Sequence, residues 1–309
     1  MDFSTALQGI KSTVDKELQS FFGGKRAEAQ TIHPQTLPLV DAVADFTLRG
    51  GKRTRAFLVW LGYVTTSKLK IQTLKFSKGK TSKNLITAMM GIELFESFAL
   101  IHDDIMDEDT IRRGGPTVHQ KFKVESLKYK VKNAKHFGES MAILAGDLAL
   151  VWADELMGSF TRQASSVKPE KKTKLTNVVT IYQKMKQEVM YGQSLDVLSA
   201  AGMPSAPRPT INAYKTAWYT VIRPLQLGAS VGGSDDNAID AFVPYGLAVG
   251  EGYQLRDDFL DGEITEEVFR RESAKHDHDA TQAAHAIQAP EGVASLFIDF
   301  AHFALHRPS

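Results

Sequence analysis

Apolar residues recur every three or four positions along nearly the whole chain, and that one period excludes most architectures. Phe3, Leu7, Ile10, Val14, Leu18 and Phe21 open the series as an amphipathic helix. A turn is expected at Gly23-Gly24, then a helix through Leu37–Leu48, a break at Gly50-Gly51, and a resumed helix from Arg53 to Val64. Further helices are predicted over Leu85–Met106, Met141–Phe160, Lys172–Leu198, Thr210–Val231, Ala238–Leu260 and Thr281–Leu305. Alternating β-branched runs such as Asn177–Ile181 are short and lie inside longer helical patterns. Helices in such number bury their apolar stripes against one another, so the expectation is an all-α bundle forming a single domain over 1–309. Two stretches, near 65–83 and 121–136, are basic and weakly patterned and read as exposed insertions.

Apolar residues make up 43% of the 309 residues and charged residues 24%, enough apolar material for a large core. Thirty-seven basic residues face 36 acidic ones, so net charge gives no push toward nucleic acid or anionic membrane. Cysteine is absent, which excludes disulfides, thiolate metal sites and cysteine nucleophiles. The apolar stretches Leu85–Ile101 and Met141–Trp152 are interrupted by acids, so no transmembrane helix is expected. The N-terminus lacks the pattern of a signal peptide, and the default location is the cytoplasm.

Two segments carry Asp-Asp-x-x-Asp: Asp103, Asp104 and Asp107, and Asp257, Asp258 and Asp261. Each closes a long apolar helical stretch. On a helix, Asp103 with Asp107 and Asp257 with Asp261 project side by side, and such pairs repel. Repeated twice beside apolar neighbours, the arrangement asks for a cation. Hard carboxylate oxygens suit Mg²⁺, which bridges carboxylates to substrate phosphates. One such cluster alone would pass for a solvated acidic helix end; two of identical spacing argue against that.

Basic turns accompany the acids. Arg112-Arg113-Gly114-Gly115 follows the first cluster directly, and adjacent arginines in a glycine turn can fork onto phosphate oxygens. Gly50-Gly51-Lys52-Arg53-Thr54-Arg55 places three cations at a turn that opens a helix. Gln193 and Asp196 share a helix face, and Lys215-Thr216 sits on a largely apolar helix. His276-Asp277-His278-Asp279 alternates in a polar stretch and reads as solvated charge.

Together these motifs resemble the trans-isoprenyl diphosphate synthases, the polyprenyl synthase family. The likeness runs from about residue 37 to 262 and rests on GGKRTR (50–55), ALIHDDIMDEDTIRRGGPTVH (99–119), AILAGDLAL (142–150), GQSLD (192–196), YKTA (214–217) and YGLAVGEGYQLRDDFLD (245–261). The resemblance implies an all-α isoprenoid synthase fold around a deep central cavity, usually as a homodimer. It implies isopentenyl diphosphate and an allylic diphosphate as substrates and about three Mg²⁺ per site. Asp103, Asp104 and Asp107 would bind Mg²⁺ carrying the allylic diphosphate, with Asp257, Asp258 and Asp261 holding metal on the opposite wall. Arg112, Lys215 and Gln254 would face the allylic substrate as the catalytic groups. Gln193 and Asp196 would complete the allylic wall, with Asp196 also among the metal ligands, and Thr216 would line the cavity. Lys52, Arg55 and Arg113 would hold isopentenyl diphosphate.

The chain departs from the family in two places. The family usually carries His or Gln seven residues before the first Asp, at the isopentenyl diphosphate site; here that residue is Glu96. After residue 262 the usual Gly-Lys turn and lysine segment are missing, so the C-terminal part is atypical and short.

Product length should be set on the helix before Asp103. Phe98 and Phe95 lie about 7.5 and 12 Å back along its axis and about 60° apart around it, so both could border one groove. In the family, bulk there stops elongation. Short-chain farnesyl-type members tend to add an aromatic four residues back, where this chain has Ala99, or an insertion in the first motif. The pattern resembles archaeal-type geranylgeranyl diphosphate synthases and implies a twenty-carbon product. The alternatives are a farnesyl diphosphate synthase, a non-catalytic subunit of a heteromeric synthase and, further off, a terpene cyclase.

Overall fold

The computed structural model describes residues 2–66, 82–234, 236–260 and 262–306. Most of the 65–83 insertion and Asp261 therefore lie outside the described residues.

The chain forms the all-α bundle expected from its period. Helix α1 (Phe3–Ile32) runs uninterrupted through Gly23-Gly24, where a turn was expected. Two glycines cost a helix about 1 kcal/mol each relative to alanine. Packing offsets that here, because Phe22 and Ala29 on either side are buried and the Lys25 ammonium is held by Glu155 at 2.6 Å. Helices α2 (Leu37–Leu48), α3 (Thr54–Thr66), α4 (Lys83–Met106), α5 (Val118–Leu127), α6 (Ala134–Ala164) and α7 (Pro169–Ala200) follow. The stretch expected as one helix over Thr210–Val231 is three pieces: α8 (Arg208–Asn212), a π-helical segment Ala213–Ile222 and α9 (Arg223–Gly232). Then come α10 (Asp236–Asp240), α11 (Phe242–Leu260), α12 (Glu266–Ala286) and α13 (Ala294–His306). The helix expected over Thr281–Leu305 is split because Pro290 and the left-handed Gly292 (φ 80°) lie in its middle.

The chain divides into two compact units. The first comprises Gly9–Ala56 and Ile86–Gly158. In its core Phe21 and Phe22 of α1 meet Trp152 of α6 edge-on at 5.9 and 6.0 Å, and a side chain at Gly91 of α4 would strike Met157 of α6. Residues 121–127 belong to α5, with Phe122 and Ser126 buried, so only the later part of the basic 121–136 stretch stands out into solvent. Helix α4 is apolar and long enough to cross a membrane despite Glu93 and Glu96, but 72% of its apolar window is buried within the protein as a core helix.

The second unit comprises the residues up to Gln8, Phe57–Leu85 and Ser159–Ser309. Its helices approach unusually closely. A side chain at Gly62 or Gly228 would collide with the backbone of the facing helix at Leu225 or Val59. Gly192 abuts Lys215 and Gly250 abuts Ala217 in the same way, which draws α7, the π-helical segment and α11 together. Phe3, Phe57, Phe300 and Phe303 form an aromatic cluster, and the buried Tyr245 hydroxyl donates to the Phe297 carbonyl at 2.8 Å.

Candidate active site

In the first unit, α4 delivers Asp103 and Asp104 in its last turn. The Asp107 amide donates to the Asp103 carbonyl at 2.9 Å, which prolongs the helical path and sets both residues on one face. Asp103 is half-buried and Asp107 exposed. Asp104 is turned inward, 1% exposed, and accepts a hydrogen bond from the Nε of Arg112. Arg112 also reaches Asp109 at 2.9 Å. Burial pushes the Asp104 carboxyl up to about 6 against the pull of Arg112, and its buried Oδ2 has no hydrogen-bond partner. This all-oxygen set, with one orphaned buried oxygen, suits a hard cation such as Mg²⁺.

Arg112 is placed by a hairpin, of which the sequence shows only the glycine turn. Strands β1 (Ile111–Arg112) and β2 (Gly115–Pro116) pair across the two-residue turn Arg113-Gly114. Both turn residues are left-handed (φ 52° and 73°), as a type I′ turn requires. Glycine adopts this freely; arginine does so at a cost, the kind of local strain that gathers at functional sites. Arg113 then lies against the Phe46 ring and donates to Glu96 at 3.0 Å.

The turn at Gly50 (φ 70°) brings a second basic group, but not the three cations expected. Arg53, also left-handed (φ 58°), is 2% exposed. It donates to Asp15 at 2.7 Å, to Glu93 at 3.1 Å and to the Thr47 carbonyl at 2.6 Å. Arg53 is thus a core brace, while Lys52 is exposed and Arg55 donates to Glu96 at 2.7 Å. Glu93 and its arginine went unremarked as a pair in the sequence; an acid three residues before Glu96 in an apolar helix was the available signal. Burial and the charge of Glu96 push the Glu93 carboxyl up to about 7, opposed by Arg53. Burial would raise Glu96 too, but Arg55 and Arg113 hold it down at about 2.

In the second unit, the close approach at Gly192 sets Asp196 of α7 beside the π-helical segment, where Lys215 donates to it at 2.6 Å. Arg208, which the sequence reading missed, donates to the other Asp196 oxygen at 2.7 Å. Burial would raise Asp196, and these two cations bring it below the ordinary carboxylate range. Thr216 donates to Gln254 at 3.4 Å, and Gln254 donates to Asp258 at 2.8 Å. Asp257 and Asp258 are half-buried on α11, as is Gln193 on α7. Among the described residues no three metal-binding side chains converge, neither on the His276–Asp279 stretch of α12 nor at Asp103, Asp104 and Asp107, so a cation at the first helix end would have to draw its carboxylates together.

Phe95 and Phe98 are buried on α4 with ring centroids 5.4 Å apart, and Phe98 lies edge-on to His102 at 4.9 Å. Ala99 beside them is half-buried.

The bundle presents two acidic helix ends, the first held by Arg112 and the second by Gln254. A polyprenyl synthetase family model matches residues 38–289, and the chain belongs to that family. Farnesyl diphosphate synthase of Haemophilus influenzae is 29% identical over 84% of this chain and 76% of its own length. Geranylgeranyl diphosphate synthase of Methanosarcina mazei is 32% identical over 62% of this chain and 52% of its own. Geranylfarnesyl diphosphate synthase of Natronomonas pharaonis is 29% identical over 69% and 57%. The chain thus spans about three quarters of the first relative and about half of the other two. The crystal structure of geranylgeranyl pyrophosphate synthase from Corynebacterium glutamicum, complexed with isoprenyl diphosphate and magnesium, superposes with a TM-score of 0.82 at 25% identity over the full length of both chains. The geranylgeranyl pyrophosphate synthetase from Pyrococcus horikoshii shares the fold, with a TM-score of 0.69 at 21% identity over both full lengths. Matches to synthases in sequence and fold support enzymatic activity, and the magnesium in the Corynebacterium structure supports a divalent-metal cofactor. Relatives named for three product lengths match about equally well, so the likeness singles out no archaeal type.

Proposed function

We propose that the chain is a prenyltransferase that condenses isopentenyl diphosphate with an allylic diphosphate to make geranylgeranyl diphosphate. The observation that carries this is the first acidic helix end together with its arginine hairpin: carboxylates for metal and forked cations for diphosphate, in one compact unit. Asp103, Asp104 and Asp107, and Asp257, Asp258 and Asp261, would hold Mg²⁺. Bound there, Mg²⁺ supplies charge neutralisation to a departing diphosphate.

The chain's own groups do the rest. In the first unit Arg112 is the N–H donor assigned to the allylic diphosphate, and in the second Lys215, with Gln254 and Thr216, is assigned to it by the family likeness. Gln193 and Asp196 steady that side, with Asp196 orienting Lys215. Donors held in place before the carbon–oxygen bond breaks stabilise the charge that develops on the leaving oxygen. The double bond of isopentenyl diphosphate, anchored through Lys52, Arg55 and Arg113, attacks the allylic cation. A proton then passes to the departed diphosphate. Apolar walls exclude the water that would otherwise trap the cation as an alcohol.

Phe98, with Phe95 behind it and only Ala99 alongside, would form the floor for the growing tail and set a twenty-carbon product. A homodimer is supported by apolar side chains left open on one helix, with Ile143, Leu144 and Val151 of α6 at 47, 52 and 59% exposure. The cytoplasm is the proposed location. The test is to incubate the purified chain with Mg²⁺, isopentenyl diphosphate and farnesyl diphosphate and weigh the product. A twenty-carbon diphosphate is expected. Products ending at fifteen carbons from shorter primers would make it a farnesyl diphosphate synthase. No turnover by the chain alone would make it a non-catalytic partner. A hydrocarbon formed without isopentenyl diphosphate would make it a cyclase.

A further inference from the structure

We propose that Glu96 is a built-in counter-anion of the second diphosphate site, competing with isopentenyl diphosphate for Arg55 and Arg113 and thereby setting the chain's affinity for its non-allylic substrate. The inference rests on the assignment of those arginines to that substrate, and it concerns a side chain that departs from the family.

The geometry is specific. A single oxygen, Oε1 of Glu96, accepts from Arg55 Nη1 at 2.7 Å and from Arg113 Nη2 at 3.0 Å. The two arginines come from separate elements, the first turn of α3 and the left-handed turn of the hairpin. All three side chains are shielded, at 11–16% exposure, so solvent screens the pairs only partly. Arg55 and Arg113 together hold the carboxyl at about 2, far below the pH of any assay, so it meets an incoming diphosphate charged. Behind the pair, Arg53 is hydrogen-bonded to Asp15, Glu93 and the Thr47 carbonyl and reaches Glu96 only through its charge. A diphosphate that takes Arg55 and Arg113 must therefore share them with a fixed negative charge, or break both of its charged hydrogen bonds.

Glu96→Gln tests this, because it keeps the size of the side chain and the accepting Oε1 and removes only the charge. Inorganic diphosphate and isopentenyl diphosphate are titrated into the full chain by calorimetry, without Mg²⁺ or allylic substrate, and KM values are then measured for both substrates. The expected result is binding of both probes tighter by about tenfold or more, the scale of one charged hydrogen-bonded contact. KM for isopentenyl diphosphate should fall in parallel, with KM for the allylic diphosphate moving less than about twofold. Unchanged or weaker probe binding overturns the proposal and makes Glu96 a brace that organises the arginines. Should Glu96→Gln fail to fold, Glu96→His at pH 8, where imidazole is neutral, gives the same comparison. The two readings fail separately. Tighter probe binding with no product from any variant leaves the counter-anion standing and removes prenyl transfer. Normal turnover with unaltered affinity does the reverse.

Discussion

The two Asp-Asp-x-x-Asp helix ends share a motif and differ in what braces them. At the first, Asp104 is 1% exposed and closed under Arg112, and burial raises its carboxyl to about 6. At the second, Asp258 is half-buried and takes an amide hydrogen bond from Gln254, itself tied to Thr216, while Arg256 of the same helix lies over Phe259 and Phe269 at 5.4 Å. At the first end a guanidinium holds a buried carboxylate; at the second an amide holds Asp258. Helical spacing decides which carboxylates share a face. The neighbours decide which of them is already oriented and compensated before a ligand arrives.

The largest expected effects treat both ends alike. Asp103→Ala and Asp257→Ala should each lower kcat/KM by about 10²–10³-fold or more, with helical circular dichroism intact, and chelation of divalent metal should abolish turnover. Near-normal turnover in one variant would break the equivalence and leave a single working metal site. The braces should then separate the two ends. Arg112→Ala strips a charged partner from a buried carboxylate and should cost about 10²-fold in kcat/KM, whereas Gln254→Ala should cost about tenfold. Equal losses would mean that the difference in bracing has no consequence for turnover.

A subtler contrast lies one and two turns upstream. The first helix carries Phe98 and Phe95 five and eight residues before its leading Asp; α11 carries Gly252 and Val249 at the same offsets. Bulk that stops elongation would therefore sit on α4 alone. Phe98→Ala should lengthen the product by one or more five-carbon units as read by mass, and Val249→Ala should leave it unchanged. An unaltered distribution in Phe98→Ala would sink the floor assignment.

The smallest effect concerns stability. Glu93 titrates near 7 in the folded chain against an ordinary 4.5, so the fold favours its protonated form. That contribution is complete below about pH 4.5 and is lost as pH rises through about 7. Thermal unfolding measured from pH 5 to 8 should show wild type losing stability relative to Glu93→Gln as pH increases. Parallel curves for the two proteins would show that Arg53 compensates the carboxylate fully.

Much of the helical layout was legible in advance because burying one face imposes a period that the sequence cannot hide. Leu37–Leu48 forms with the bounds its period predicts, and the break at Gly50-Gly51 lies where local backbone chemistry puts it. The misreadings share a cause. Gly23-Gly24 looks like a turn because glycine weakens helices, yet Phe22, Lys25 and Ala29 are packed firmly enough to carry α1 through. The Ile111–Pro116 hairpin shows only its glycine turn in the sequence, because its strands are two residues long and have no period to detect.

The sequence by itself determined the fold class, the pairing of carboxylates on two helix faces and the cations that accompany them, since these follow from spacing along one element. Only the tertiary structure decided what each charge does. Arg53 and Arg55 are two residues apart in one basic run; one is sealed in the core by Asp15 and Glu93, while the other meets Glu96 at a partly open site. Those partners lie 38 to 41 residues away along the chain. An ion pair across that distance is made by packing, at a strength set by burial, and neither quantity is written in the local order of residues.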